Sequence, residues 1–223
     1  MDIETCPGPS FAEFTKMRGM KIIHQNIRGL FHNISHFSAV LEKYNNIDII
    51  ALSETHIRLH DNIELFSIPG YRFISKPRLN GFGGGVGMYV SQDISWRRRE
   101  DLESDNLEIL CIEIIVKNSN NFLICSVYRP PDSSDYLPQH FNELFDNFLK
   151  NVNASLNETI ILADMNINFL KKDNSNELKS IISSYNYKQL IDSATRITNN
   201  TSTLIDIVLT NISKNNKMLL PHQ

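Results

Sequence analysis

The sequence predicts an α/β fold, with β-sheets packed together and helices outside. Three observations predict it. Short apolar runs rich in isoleucine recur, as in IDIIALS (47–53) and ETIILAD (158–164), and such runs read as strands buried on both faces. Other stretches place apolar residues at i, i+3, i+4 and i+7, the period of one helical face. Helices and strands alternate at both ends of the chain, and strands alone fill its middle. That order suits packed sheets with helices on the outer faces.

Each element follows in turn. Residues 1–19 read as a flexible leader, and residues 20–223 as the domain. MKIIHQN (20–26) is a strand. Residues 35–45 carry Phe37, Val40, Leu41 and Tyr44 on one helical face. IDIIALS is a buried strand. Residues 71–128 show no helical period. There YRFIS, VGMYV, LEILCIEIIV and NFLICSVY are strands separated by turn residues, which predicts an antiparallel meander. In the helix over 138–151, Phe141, Leu144, Phe145, Phe148 and Leu149 form one stripe. ETIILAD is again a buried strand. Leu178, Ile181, Ile182 and Tyr185 mark another helix, and STLIDIVLT (202–210) is the last strand. No internal repeat or linker divides the chain.

Composition bounds the function. With 223 residues the chain supports one sizeable domain. Its net charge of -3 argues against a protein that coats nucleic acid with lysine and arginine. It leaves room for an enzyme that meets phosphate through a metal held by carboxylates. Three cysteines, Cys6, Cys111 and Cys125, make no disulfide framework and fit a reducing compartment. No run reaches the ~20 apolar residues of a membrane span. The first twenty residues lack the apolar core of a signal peptide. The expected location is intracellular, nuclear or cytoplasmic. Asn-x-Ser/Thr triplets such as those at Asn33, Asn153, Asn157 and Asn211 are then chance matches.

Polar residues at strand ends carry the chemistry. The first strand ends at Asn26 and the second at Glu54. The last strand of the expected meander ends at Tyr128. ILADMNIN runs from a buried strand into Asp164 and Asn166, and the final strand carries Asp206. Residues i and i+2 of an extended chain face one side, so Asp164 and Asn166 would point together. Singly, such residues are more often turn residues or helix caps. Together they give one rim of carboxylates, amides and a phenol. Oxygen ligands of this kind suit Mg²⁺ or Mn²⁺, and a dication beside a carboxylate base suits hydrolysis of a phosphate ester.

The motifs QNIRGL, LSETHI, GGGVGMYV, SVYRPP, ADMNIN and TLIDIVLTN resemble those of the endonuclease/exonuclease/phosphatase superfamily. More narrowly they resemble the apurinic-endonuclease-like domain of jockey-type non-LTR retrotransposons, from about Met20 to Asn211. The resemblance implies a four-layer, deoxyribonuclease I-like sandwich of two mixed sheets with outer helices. It implies Glu54 as principal metal ligand, with Asn26 assisting at the metal or phosphate. It implies Asp164 orienting or deprotonating the attacking water and Asn166 holding the water or a phosphate oxygen. Tyr128 would stabilise charge on the phosphate, and Asp206 would orient a histidine further along the chain. Arg28 and Arg129 sit next to motif residues, where they could contact DNA phosphates, and Thr195 and Arg196 resemble a segment that lies on DNA in the retrotransposon enzymes. The implied reaction hydrolyses a DNA phosphodiester with Mg²⁺ or Mn²⁺ and leaves a 3′-hydroxyl for reverse transcription. The implied partner is DNA and not a membrane, with a monomer as the working expectation. Alternatives are a phosphatase of the same fold acting on small phosphoesters, and a non-catalytic remnant.

Other features weigh less. GFGGGVG (81–87) lacks the Lys-Ser/Thr ending of a phosphate loop and reads as a glycine turn. The run Arg97, Arg98, Arg99 suits either DNA backbone or a solvated loop. His56 and His60 are spaced i, i+4 but lack the Glu of a zinc motif. In the family a Ser-Asp-His segment follows the last Asp motif. Here the chain reads ISKNNKMLLPHQ, and His222 follows Leu-Pro rather than Ser-Asp. The resemblance therefore implies a domain truncated at its C-terminus and a weak or inactive nuclease. Asp206 would have no imidazole to orient, and the last strand would leave an open sheet edge.

Overall fold

The computed structural model describes residues 11–44, 46–155, 158–171 and 175–212. In it the apolar runs resolve into two mixed sheets. The first part of the chain supplies α1 (Phe11–Phe14), β1 (Ile22–Asn26), α2 (Leu30–Lys43), β2 (Ile49–Ser53), β3 (Tyr71–Lys76) and β4 (Val86–Ser91). Its strands form a sheet ordered β1-β2-β4-β3, with only β1 and β2 parallel. Next come β5 (Trp96–Arg98), β6 (Glu108–Ile114), β7 (Phe122–Tyr128), α3 (Phe141–Ala154) and β8 (Glu158–Asp164). They are followed by α4 (Asn176–Ser184), β9 (Lys188–Gln189), β10 (Arg196–Ile197), β11 (Ser202–Thr203) and β12 (Asp206–Thr210). The second sheet is ordered β5-β6-β7-β8-β12-β9, and β10 and β11 pair as a separate hairpin. A parallel pair needs a crossover. The two parallel pairs, β1–β2 and β7–β8, have α2 and α3 as their crossovers.

Side-chain alternation builds four layers. In β6, Leu110, Ile112 and Ile114 face the first sheet, meeting Ile49, Ala51, Val86 and Met88. The intervening Ile109 and Cys111 face the other way, onto Phe145, Phe148 and Leu149 of α3 and Leu178 of α4. On the far side of the first sheet, Ile50, Leu52 and Tyr89 receive Leu30, Phe37 and Leu41 of α2. Strands buried on both faces need apolar residues at nearly every position, which is why they read as continuous runs.

Several expectations are corrected. The 71–128 meander is divided, with β3 and β4 in the first sheet and β5, β6 and β7 in the second. Helix α2 begins at Leu30, not 35, because Gly29 and Leu30 donate their N–H groups to the Glu54 and Thr55 carbonyls and fix its start. STLIDIVLT is two strands, broken at Leu204 and Ile205. The edge of the last strand is covered over part of its length, where Gln189 and Lys188 of β9 pair with Leu209 and Thr210. The basic run is not a loop: Arg97 and Arg98 lie on β5, and each of the three arginines is paired with an acid. Arg97 and Arg99 hold the buried Glu113 carboxylate at 2.8 and 3.0 Å, and Arg98 holds Glu103 at 2.9 Å. Within the expected leader, the Phe11 ring meets Tyr44 edge-on at 4.8 Å. Residues 1–10 and 213–223, with Cys6 and His222, lie outside the described residues. Among the described residues no helix is long and apolar enough to cross a membrane.

Phe145 is fully buried, and its ring stacks on Phe141 at 5.9 Å. Phe145→Ala should cost roughly 3–5 kcal/mol through the cavity it leaves. Urea unfolding of parent and variant measures this, and a loss under about 1 kcal/mol would contradict the packing of α3 on the second sheet.

Candidate active site

Strand register gathers one row of polar residues. Tyr128 of β7 and Asp206 of β12 are both cross-strand partners of Asp164 in β8, and Glu108 of β6 is the partner of Tyr128. Cross-strand partners point to the same face. That face is the inner one, because Leu110, Leu162 and Val208, each two residues along, pack between the sheets. On the first sheet the same alternation continues from Ile22 to His24 and Asn26. Both rows meet at one rim of the sandwich.

Asn26 joins them. Its Nδ2 donates to Glu54 Oε1 and to Asp164 Oδ2, each at 2.8 Å. The Tyr128 hydroxyl donates to the same Glu54 oxygen at 3.2 Å. Asp164 is fully buried, and its Oδ1 accepts the Asn166 N–H at 3.3 Å. Backbone strain concentrates here. Arg28, Glu54, His56 and Asn166 have φ of 48°, 52°, 56° and 48°. This region costs L-residues roughly 1–2 kcal/mol each and clusters at functional sites.

Charge is concentrated as well. Burial, then the Asp206 charge and that of Glu54, push the Asp164 carboxyl from 3.8 up to about 7, against the pull of its hydrogen bonds from Asn26 and Asn166. Burial raises Tyr128 above its ordinary value, and the neighbouring carboxylates raise it further. The phenol therefore stays protonated and remains a donor. Burial also raises Glu108, although the Gly85 N–H and Arg78 oppose it.

The predicted residues divide in two. Asn26, Glu54, Tyr128 and Asp164 form one hydrogen-bonded group, with Asp206 beside it. Asn166 is displaced from its expected position. The strand ends at Asp164, so the alternation invoked for Asn166 stops there, and its Nδ2 donates to the Arg129 carbonyl at 3.0 Å. Asn26 turns its amide nitrogen to the acids, while its Oδ1 accepts the Arg28 N–H at 3.2 Å. Arg129 is turned inward. It is buried, donates to the Pro130 and Met165 carbonyls, pairs with Asp132 and lies over Phe141. Its guanidinium knits the SVYRPP loop. Arg28 and Arg196 are exposed. The Thr195 hydroxyl accepts the Ile205 and Asp206 N–H groups at 3.3 and 3.0 Å, so it sets the start of β12.

Two residues were missed. Glu108 opens the LEILC run with an acid, and an antiparallel neighbour that starts where β7 ends brings it to the same rim. His24 lies two residues before Asn26 on the inner face. Its Nδ1 is 3.5 Å from Asp206 Oδ1, so Asp206 does have an imidazole beside it. Burial holds that imidazole below its ordinary value, against the pull of Asp206.

Among the described residues no three His, Cys, Asp or Glu side chains converge to enclose a metal ion. The donor set fits a sparser site. A hard dication that keeps most of its waters needs only one or two carboxylates, and Glu54 stands at the rim with Asp164 bridged to it through Asn26.

Two mixed sheets with outer helices and an acid-amide rim define a deoxyribonuclease I-like α/β sandwich. The chain belongs to the endonuclease/exonuclease/phosphatase family, whose model matches residues 23–211. Solved structures of the same fold include the endonuclease domain of TRAS1, a telomere-specific non-LTR retrotransposon, at 14% identity and TM-score 0.63, covering 85% of this chain and 83% of that one. The apurinic endonuclease LMAP from Leishmania major is 16% identical with TM-score 0.67, over 86% and 78% of the two chains. The APE2 catalytic domain from Xenopus laevis is 16% identical with TM-score 0.62, over 86% and 82%. No curated protein sequence matches the chain significantly.

The raised Asp164 carboxyl has a consequence for stability. A group whose pKa rises on folding favours the fold below its unfolded value and loses that contribution as pH climbs through the folded value. In EDTA, stability should therefore fall between about pH 4 and 7, and Asp164→Asn should flatten that slope. At neutral pH the variant should be more stable by roughly 1–4 kcal/mol. Thermal melts across pH check this, and an unchanged slope would contradict it.

Proposed function

We propose that this chain is a Mg²⁺- or Mn²⁺-dependent endonuclease domain that hydrolyses DNA phosphodiesters, of the kind a non-LTR retrotransposon uses to nick its target. The Asn26 bridge between Glu54 and Asp164 carries the reading, because it fixes a ligand carboxylate and a basic carboxylate on either side of one amide. Family membership supports the chemistry, and the shared fold of the TRAS1 domain supports the mobile-element setting.

Each residue has a part in that reaction. Glu54 would hold the dication, which when bound neutralises charge on the phosphate. Asp164 takes a proton from the attacking water. A carboxylate raised to about 7 is a stronger base at neutral pH than an ordinary one, and its two hydrogen bonds hold it in place. Tyr128 stays protonated and donates to a phosphate oxygen as charge develops. Asp206 keeps Asp164 basic through its charge. The water oxygen bonds to phosphorus as the P–O3′ bond breaks. The leaving oxygen gains a proton and becomes a 3′-hydroxyl. Asn166 braces the Asp164 loop. Arg28 and Arg196, both exposed, would contact the DNA backbone, with Thr195 beside Arg196 holding the start of β12.

Two variants test these roles on supercoiled plasmid. Asp164→Asn preserves shape but cannot accept the proton, so nicking should drop at least ~100-fold. A rate equal to the parent would remove Asp164 as the base. Glu54→Ala should weaken Mg²⁺ binding about tenfold or more in calorimetry, since few other hard ligands are present. Equal affinities would take Glu54 out of that role. Hydrolysis of small phosphomonoesters without nicking would move the assignment to a phosphatase.

A further inference from the structure

The GFGGGVG loop has a packing reason for its glycines. Gly81, Gly83, Gly84 and Gly85 all take positive φ. A Cβ on Gly81 would lie 2.0 Å from the Tyr136 ring, and one on Gly84 would lie 2.2 Å from the Arg78 guanidinium. Glycine lets the loop press onto both side chains. The loop then holds Phe82 out into solvent, 73% exposed. The ring joins none of the three apolar clusters.

Phe82 has company. It lines a cleft of about 700 Å³ with Phe31, Leu59, Arg58, His32 and His56. Phe31, in the first turn of α2, is 64% exposed. The Arg58 guanidinium sits 5.3 Å from the centre of the Phe82 ring. Asp61 is the one acid among the lining residues, and Arg58 supplies the cation, because Arg78 is paired with Glu108 at 2.7 Å. The cleft opens beside the candidate active site, where His56 Nε2 is 3.8 Å from Glu54 Oε2.

Exposed rings beside an arginine match one chemistry well. Single-stranded nucleic acid is gripped by aromatic faces that stack on bases and by cations that follow the backbone. A docking protein segment would call for an apolar groove without this charge. We propose that the cleft is a nucleobase subsite, in which Phe82 and Phe31 stack on an unpaired base of the DNA strand being cut and Arg58 meets its backbone. The inference rests on the nuclease reading and adds to it a preference for DNA that is frayed or open next to the cut.

Fluorescence anisotropy in EDTA separates binding from cleavage. The probes are a labelled oligothymidylate and a strand of equal length whose central positions are abasic spacers. The parent should bind the base-bearing strand about tenfold more tightly, the effect of one stacked base. Phe82→Ala should erase that difference and leave the spacer strand bound within about twofold. Phe82→Trp should keep it, with indole fluorescence quenched on binding. Equal affinity of the parent for both strands, with plasmid nicking intact, would overturn the subsite alone. A preference that survives in Phe82→Ala would also overturn it. Failure to bind either strand, with no nicking, would overturn the nuclease reading together with it.

Discussion

One side-chain amide holds the site together. Asn26 comes from the end of β1, while the acids it bridges come from the ends of β2 and β8, in different sheets. Two carboxylates at this spacing repel each other, and burial makes the repulsion stronger. An NH₂ group with one hydrogen for each acid answers both at once. The sandwich core brings the rims together, and Asn26 sets the spacing between Glu54 and Asp164. The remaining rim residues add to this arrangement: Tyr128 supplies a second donor to Glu54, and Asp206 adds charge beside Asp164.

The rim is held in a tense state. Four non-glycine residues around it have left-handed backbone, and Asp164 keeps its proton to about pH 7. Loops tied by main-chain hydrogen bonds sustain the strain. Gly29 and Leu30 bond to the Glu54 and Thr55 carbonyls, and Thr55 and His56 bond to Gly85 and Gly84. These ties rest on three apolar clusters, which offset the local cost. Folding energy thus maintains a site that is basic and short of positive charge, ready for a dication and a phosphate.

Much of this was legible in the sequence. Strands buried on both faces announce themselves as apolar runs, and an acid or amide that ends such a run stands out. Asn26, Glu54 and Asp164 were singled out that way, Tyr128 as the phenol ending its strand, and Asp206 through the motif that carries it. What period alone cannot say is which sheet a strand joins, so β3 and β4 were grouped with β6 and β7. Nor does it say where a strand stops. Asn166 was placed by an alternation that ends two residues before it. Arg129 looked free because a basic residue beside a motif invites that reading, yet its neighbours offer carbonyls and Asp132 within reach. Glu108 was overlooked because it starts a strand instead of ending one, and an antiparallel partner brings that start to the rim. Arg97, Arg98 and Arg99 looked like a basic patch because their acids, Glu103 and Glu113, come from neighbouring segments.

Asn26 bridges two acids, and its hydrogen bond to Asp164 restrains that carboxyl's proton. Carbon-13 NMR of the Asp164 carboxyl, titrated in EDTA, measures that proton directly. The midpoint should lie at about 7 in the parent and higher in Asn26→Ala, where the restraining hydrogen bond is gone. An ordinary carboxylate midpoint in the parent, or the same midpoint in both proteins, would contradict it.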